Sequence, residues 1–208
     1  MNPEQVNKIK KISIIALASD DKLVEDLVLK GGNAIELAFS YDLGKISRTS
    51  YDLDYSISGG DFKEEIGQIE KRIFETLNQT FREHGYIVLD YKFLIKPKEA
   101  NEETHDFWGG YKVTFKLIEE GLFESIKMDS DKVRRNAIPL NPNHSPKFEL
   151  EFSKHEHVDG SKEYDYEGYK IRVYTPEMVV FEKARALCQQ LPEYGNIVPG
   201  FSPSVMST

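Results

Sequence analysis

The chain has little cysteine, no long apolar run and no excess of positive charge, and each shortage excludes a class of protein. Its single cysteine cannot form an internal disulfide, and no cysteine–histidine group has zinc spacing. No apolar run approaches the roughly 20 residues of a membrane helix, and the polar start MNPEQVNKIKK lacks a signal-peptide core. The net charge of −8 argues against a broad grip on nucleic acid, although not against brief action on one. We therefore expect a cytoplasmic protein without a membrane segment.

Aromatic residues, by contrast, are plentiful. The 208 residues include 12 phenylalanines and 11 tyrosines, enough apolar surface to offset the entropy of ordering the chain. We expect one domain over residues 1–208, with an N-terminal helix within 1–19 and an irregular tail over 195–208.

Apolar periodicity predicts both helices and strands. Helical spacing indicates helices over 3–18, from 33 onwards, over 62–81 and over 176–190, with an ambiguous helical stretch in 121–138. Strands are predicted at 27–29, 52–58, 86–95, 111–118, 147–153 and 170–174. Because strands and helices do not alternate strictly, the pattern favours an α+β fold.

The strand over 52–58 carries the first candidate site. Its apolar residues alternate with polar ones, so that Asp52 and Asp54 project from the same face. Phosphoryl- and nucleotidyl-transfer sites use such a pair of hard oxygen ligands to hold magnesium. A solvated strand face would show the same alternation.

Two further features favour the chemical interpretation. A short strand runs into Gly31 and Gly32 and then into a helix, where glycines let phosphate oxygens approach the backbone. On a later strand, Glu149 and Glu151 again lie opposite an apolar face. If that strand neighbours the first, a third carboxylate joins the aspartate pair and a site for two metal ions becomes possible.

Lys183 lies on the last predicted helix among apolar neighbours three and four positions away. Their apolar character predicts that the Lys183 side chain projects from the face of the helix that packs inward. Its ammonium would then either reach back to water or point into an occupied site, where a triphosphate would supply the opposing charge.

These motifs together resemble the AbiEii-type toxin nucleotidyltransferases of type IV toxin–antitoxin and abortive-infection systems, within the polymerase-beta-like superfamily. The family pattern is a strand, K-G-G, a helix and then R-x-S-x-D-[LI]-D-[FY]. The matching residues here are Lys30, Gly31, Gly32, Arg48, Ser50, Asp52 and Asp54. The likeness resumes at FELEFSKHEH (148–157) and at YKIRVYTPEMVVFEKARALCQQLPEY (169–194).

The resemblance implies a nucleotidyltransferase-like mixed sheet flanked by helices, and transfer of a nucleotidyl group from an NTP to an acceptor hydroxyl, such as that of tRNA. It implies that Asp52, Asp54 and Glu151 bind Mg²⁺, as one ion or two, and are catalytic together with Lys183. The nucleotide-binding residues that it implies are Lys30, Gly31, Gly32, Arg48, Ser50 and Lys183. It also implies a separate antitoxin protein that acts at the level of the gene or the cell.

The chain departs from the family pattern at three places that matter. A second lysine, found in some relatives four positions after the first, is here replaced by Leu187. Relatives often have aspartate where this chain has Glu151, and the third acid could equally be Glu149. Relatives also continue beyond the lysine helix into an R-x-x-D-[FL]-x-D segment, which is not found in residues 196–208. The alternative is therefore a degenerate, catalytically weak protein that binds a nucleotide or a partner.

Overall fold

The computed structural model describes residues 2–43, 52–96, 109–141, 143–188 and 190–191. The helices in these ranges are α1 (Pro3–Ala18), α2 (Asp21–Asp26), α3 (Gly31–Leu43), α4 (Ile66–Glu83), α5 (Glu120–Ile126), α6 (Ser130–Arg135) and α7 (Pro176–Cys188). The strands are β1 (Leu27–Lys30), β2 (Leu53–Ile57), β3 (Tyr86–Lys96), β4 (Gly110–Glu119), β5 (Phe148–Ser153), β6 (Lys162–Tyr166) and β7 (Tyr169–Val173).

The strands form one mixed sheet in the order β3-β4-β5-β2-β1-β7-β6. Strand β2 lies near the middle, antiparallel to β1 on one side and parallel to β5 on the other. Helices α1 and α4 pack against each other, and α3 contacts α7 as well as β1 and β2. The predicted α+β class is confirmed.

Alternation positions the two faces of β2. Leu53, Tyr55 and Ile57 are buried in the main apolar core. Asp54 and Ser56 project from the opposite face, because successive strand residues point to opposite sides. The predicted alternation is therefore confirmed over Leu53–Ile57, and it places the Asp54 carboxylate away from the apolar core, while Asp52 lies one residue before β2 and is exposed.

Helix α4 has the regular apolar stripe that its sequence predicts. Ile69, Ile73, Leu77 and Phe81 recur at three- and four-residue spacing and are all buried. The helix begins at Ile66, however, and not at residue 62 as predicted. The residues before it instead form the connection from β2, which carries a buried phenylalanine.

Helix α1 confirms the predicted N-terminal helix. The side chain of Asn2 caps it by accepting a hydrogen bond from the Glu4 amide at 3.0 Å, and Pro3 occupies the first turn. The buried face includes one charged side chain, that of Lys10, which is 4 % exposed. A buried ammonium requires partners, and Lys10 has Asn33 and Glu36.

Two elements were not predicted. Asp20 follows the helix predicted over 3–18 and caps α2 by accepting hydrogen bonds from the amides of Lys22 and Leu23, each at 3.0 Å. Strand β6 is an edge strand that pairs with β7 alone among the described strands, and most of it is exposed. Its sequence, KEYDY, alternates over only four residues, with Tyr164 and Tyr166 half-buried, which is too short a pattern to predict a strand by itself. No described helix has the length and apolar character needed to cross a membrane.

Candidate active site

The central strands bring three predicted site residues together. Lys30, the last residue of β1, is the register partner of Asp54 on β2. On the other side of β2, Asp54 is the register partner of Glu151 on β5. Side chains at paired positions of adjacent strands point to the same face. A lysine and two carboxylates therefore lie side by side across three strands. The sequence predicts that a third carboxylate joins the aspartate pair only if the two strands are neighbours, and β2 and β5 are neighbours.

The pKa of Asp54 depends on the charges of the residues around it. Burial, followed by the charge of Asp52, raises the pKa of the Asp54 carboxyl from 3.8 to about 6. Lys30 lowers this pKa, whereas Glu151 and Glu182 raise it further. The lysine does not balance the acids, so the ionised form of Asp54 is disfavoured. A bound cation would remove this penalty.

Gly31 makes room for the Asp54 side chain. It is the first residue of α3 and has a φ of +68°, a conformation that glycine adopts more readily than other residues. A Cβ atom at this position would lie 2.7 Å from Oδ2 of Asp54. The carboxylate thus lies against the N-terminal end of α3, where helix amides favour negative charge. Gly32 follows in the first turn and is exposed.

We expect Gly31→Ala to destabilise the protein by about 1–3 kcal/mol, because the new methyl group would meet Oδ2 of Asp54 in a strained backbone conformation. The matched control is Gly67→Ala in α4, where a Cβ would meet no atom within 4 Å. That change should be neutral or stabilise by up to about 1 kcal/mol, because alanine favours helix. Urea unfolding measures both. Equal effects of the two substitutions would show that Asp54 does not lie against Gly31.

Lys30 is buried in an ionic cluster. Its ammonium lies 3.0 Å from Oγ of Ser153, 3.2 Å from Glu156 and 3.1 Å from Glu182. Arg185 of α7 also contacts Glu156, at 2.8 Å. The sequence did not predict these partners of Lys30. A lysine at the end of a buried strand does indicate that counter-charges exist, but not which residues supply them.

Helix α7 presents a different face from the one predicted. Lys183 is exposed, and so are its apolar neighbours Val180 and Leu187, at 64 % and 67 %. The prediction that Lys183 leaves from an inward-packing face is therefore wrong. Val179 and Glu182 take the inward positions instead, with Val179 1 % exposed and Glu182 bonded to Lys30. The triphosphate role of Lys183 stays a prediction.

The acids of β5 are paired with lysines. Lys96 and Lys112 lie 3.0 and 2.9 Å from Oε1 of Glu151, and Lys112 also contacts Glu149. Burial acts to raise the pKa of both glutamates, but the lysine hydrogen bonds outweigh it and lower both pKa values. Register places Glu151, and not Glu149, opposite Asp54.

A divalent cation fits one part of this donor set better than the rest. Asp52 and Asp54 supply hard oxygens whose mutual repulsion a cation would relieve. Glu151 would have to exchange its lysines for the ion. Accordingly, no group of three histidine, cysteine, aspartate or glutamate side chains among the described residues is arranged to hold a metal. Arg48, Ser50 and the tail over 195–208 lie outside the described residues, so their predicted roles and form stay predictions.

A comparison with protein-family models assigns this chain to a family. Residues 15–195 match a family model described as the nucleotidyl transferase AbiEii toxin of a type IV TA system. The match spans the sheet, the D-x-D strand and α7. A comparison with curated proteins gave no match.

Proposed function

Because the chain belongs to the AbiEii family of type IV toxin–antitoxin nucleotidyltransferases, we propose that it transfers a nucleotidyl group from an NTP to a hydroxyl of an RNA acceptor, tRNA, with Mg²⁺. The observation that carries the proposal is the sheet register that sets Asp54 beside Glu151 and two residues from Asp52, in a family of this chemistry. Burial and the neighbouring acids raise the pKa of Asp54, and a cation bound among these carboxylates would relieve their repulsion.

The described residues fall into those that would bind the metal ion and those that would lie beside the phosphates. Asp52 and Asp54, with Glu151 as the third acid, would hold Mg²⁺. When bound, the ion supplies positive charge that stabilises the α-phosphate and the departing pyrophosphate. The acceptor oxygen bonds to the α-phosphorus as the bond to the bridging oxygen of the β-phosphate breaks, and the acceptor proton passes to solvent. The backbone at Gly31 and Gly32, at the start of α3, would lie beside the phosphates.

The cations of the site have two proposed positions. Lys30 lies beside Asp54. It would contact phosphate oxygens of the NTP in place of Glu156 and Glu182, the carboxylates with which it is paired in this structure. Lys183, Arg48 and Ser50 complete the nucleotide-binding set that the family pattern implies. We place the reaction in the cytoplasm, where NTPs and tRNA are available, and we propose that a separate antitoxin protein limits the toxicity.

A specific observation supports a second candidate function. Lys30 and Glu151 are both neutralised by neighbouring side chains in the described structure. If the ion pairs of Lys30 and Glu151 persisted when a nucleotide bound, Lys30 could not contact the phosphates and Glu151 could not bind a metal ion. Such a protein would bind the nucleotide without transferring it. The second candidate is therefore a catalytically weak nucleotide- or partner-binding module.

One assay separates the two functions. Purified protein is incubated with each α-labelled NTP and total tRNA, in Mg²⁺ or in EDTA. We expect label in RNA with Mg²⁺ only, and a loss of at least about 10-fold in Asp52→Asn because one oxygen donor is removed. Asp131→Asn, in exposed α6, is the matched control and should retain activity. NTP binding without transfer would establish the binding module, and absence of both would contradict both proposals. Loss of growth inhibition in the same Asp52→Asn variant on expression tests the toxin role.

A further inference from the structure

A buried chain of hydrogen bonds links α1 to the first aspartate of the D-x-D pair. The ammonium of Lys10 donates to Oδ1 of Asn33 at 3.1 Å and contacts Oε2 of Glu36 at 3.0 Å. The amide nitrogen of Asn33 donates in turn to the backbone carbonyl of Asp52 at 2.6 Å. Lys10 and Asn33 are 4 % and 5 % exposed, so water offers these groups little alternative.

Lys10 determines which way the Asn33 amide points. An ammonium can only donate hydrogen bonds, so the amide oxygen of Asn33 must face it. The NH₂ group of Asn33 then faces away from Lys10, towards the carbonyl of Asp52. With the amide reversed, two donors would meet at Lys10 and two acceptors would meet at Asp52. Both unfavourable contacts would be buried, where unpaired polar groups are costly.

The position of Asp52 matters because its carboxylate leaves from the same residue whose carbonyl Asn33 holds. Holding that carbonyl restrains the adjoining peptide plane just before β2, and with it the position from which the Asp52 side chain leaves the backbone. Displacement of a reacting group by about 1 Å can cost roughly 100-fold in rate. A residue that fixes a ligand through its backbone therefore contributes to the reaction without touching the substrate.

We propose that Lys10 is a positioning residue, which acts through Asn33 to hold Asp52 in the orientation that the site needs. This role deepens the nucleotidyl-transfer function proposed above and rests on it. Lys10 lies 42 positions before Asp52 in the sequence and outside every motif discussed above. Helix α1 is on this account a part of the active-site scaffold and not only a cover for the core.

The first test is independent of activity. In ¹⁵N-resolved NMR spectra, the side-chain NH₂ of Asn33 is identified by its absence in Asn33→Asp. We expect its exchange with solvent to accelerate at least about 10-fold in Lys10→Met, because the amide loses the ammonium that orients it. Lys11→Met removes a neighbouring lysine that pairs with Glu167 at the surface, and it should leave this exchange unchanged. Unchanged exchange in Lys10→Met would overturn the proposal.

The second test uses the labelled-transfer assay. Asn33→Asp keeps a partner for Lys10, and the protein should remain folded, but its carboxylate cannot donate to the Asp52 carbonyl. We expect kcat to fall about 10- to 100-fold and the Mg²⁺ concentration for half-maximal rate to rise, with KM for the NTP little changed. Lys10→Met should lower kcat about 10-fold, and adding it to Asn33→Leu, which also removes the donor to the Asp52 carbonyl but adds no buried charge, should lower kcat no further.

These readouts distinguish the two proposals. Additive effects of Lys10→Met and Asn33→Leu on kcat, or an unchanged Mg²⁺ requirement in Lys10→Met and Asn33→Asp, would overturn the positioning role while leaving nucleotidyl transfer intact. If the wild-type protein transfers no nucleotide, the proposed function fails, and with it the positioning role of Lys10 in catalysis, whatever the NMR spectra show.

Discussion

Asp54→Asn should make the protein more stable and inactive at the same time. We expect its free energy of unfolding at pH 8, in EDTA, to exceed that of the wild type by about 1–3 kcal/mol. The folded-state pKa of about 6 lies roughly two units above the ordinary 3.8, and each unit corresponds to about 1.4 kcal/mol. Asparagine has nearly the same shape without the charge. Nucleotidyl transfer should fall at least about 100-fold, because the buried cation ligand is lost.

The sign of the pH dependence follows from the direction of the shift. Because the folded pKa of Asp54 is raised, its proton stabilises the folded state fully below about pH 4, and this contribution is lost as the pH rises to about 6. The stability gap between Asp54→Asn and wild type should therefore be small at pH 4, grow between pH 4 and 6, and stay constant above. Urea titrations of both proteins measure the gap. A gap that is constant from pH 4 to 8 would contradict the raised pKa.

Magnesium should reverse the order of stability. A ligand that binds only the folded state stabilises it by an amount that grows with the logarithm of its concentration over Kd, once that concentration exceeds Kd. We expect added Mg²⁺ to raise the Tm of the wild type and of Asp131→Asn, but to raise that of Asp54→Asn much less. If Mg²⁺ raised all three Tm values equally, the ion would be bound elsewhere.

Lys30→Met should cause the largest loss of stability, about 3–5 kcal/mol, because it leaves two largely buried carboxylates without their shared cation. The side chains of Lys30, Glu156 and Glu182 are only 8 %, 13 % and 19 % exposed. Methionine keeps the apolar stem but not the charge. Urea unfolding at pH 7 measures the loss.

A second substitution isolates the cause of that loss. In Lys30→Met/Glu182→Gln, only Glu156 stays charged, and Arg185 still contacts it. We therefore expect the double variant to recover more than half of the lost stability. The control Lys71→Met breaks an exposed pair with Glu75 on α4, and it should cost less than about 1 kcal/mol. An equally small cost in Lys30→Met would mean that the carboxylates have other partners.

The local pattern of apolar residues correctly predicted the buried face of β2 and of α4, but it predicted the wrong buried face for α7. The alternation in β2 and the stripe of α4 each identify one buried face, so their orientation follows from the sequence alone. Helix α7 has Val179, Val180 and Phe181 in succession, and consecutive apolar residues point in different directions around a helix. Its buried face is set by tertiary contacts, which is why Glu182 and not Lys183 turns inward.

The partners of Lys30 could not be predicted for a related reason. Ser153 is 123 positions away in the sequence. Register between β1, β2 and β5 brings these residues together, and that register depends on the whole sheet. The D-x-D pair could be predicted because its geometry is local to a single strand, whereas the cluster around it is not.

The pairing of β2 with β5 also sets the order in which the site can assemble during synthesis. Strand β1 and strand β2 are made early, but β5 and α7 belong to the last third of the chain. Contacts between such distant segments close late in folding, because loop-closure entropy must be offset first. A nascent chain that has released β2 therefore has Asp54 without Glu151 beside it and Lys30 without Glu182. A chain with this topology can therefore complete the candidate site only after β5 and α7 have been made.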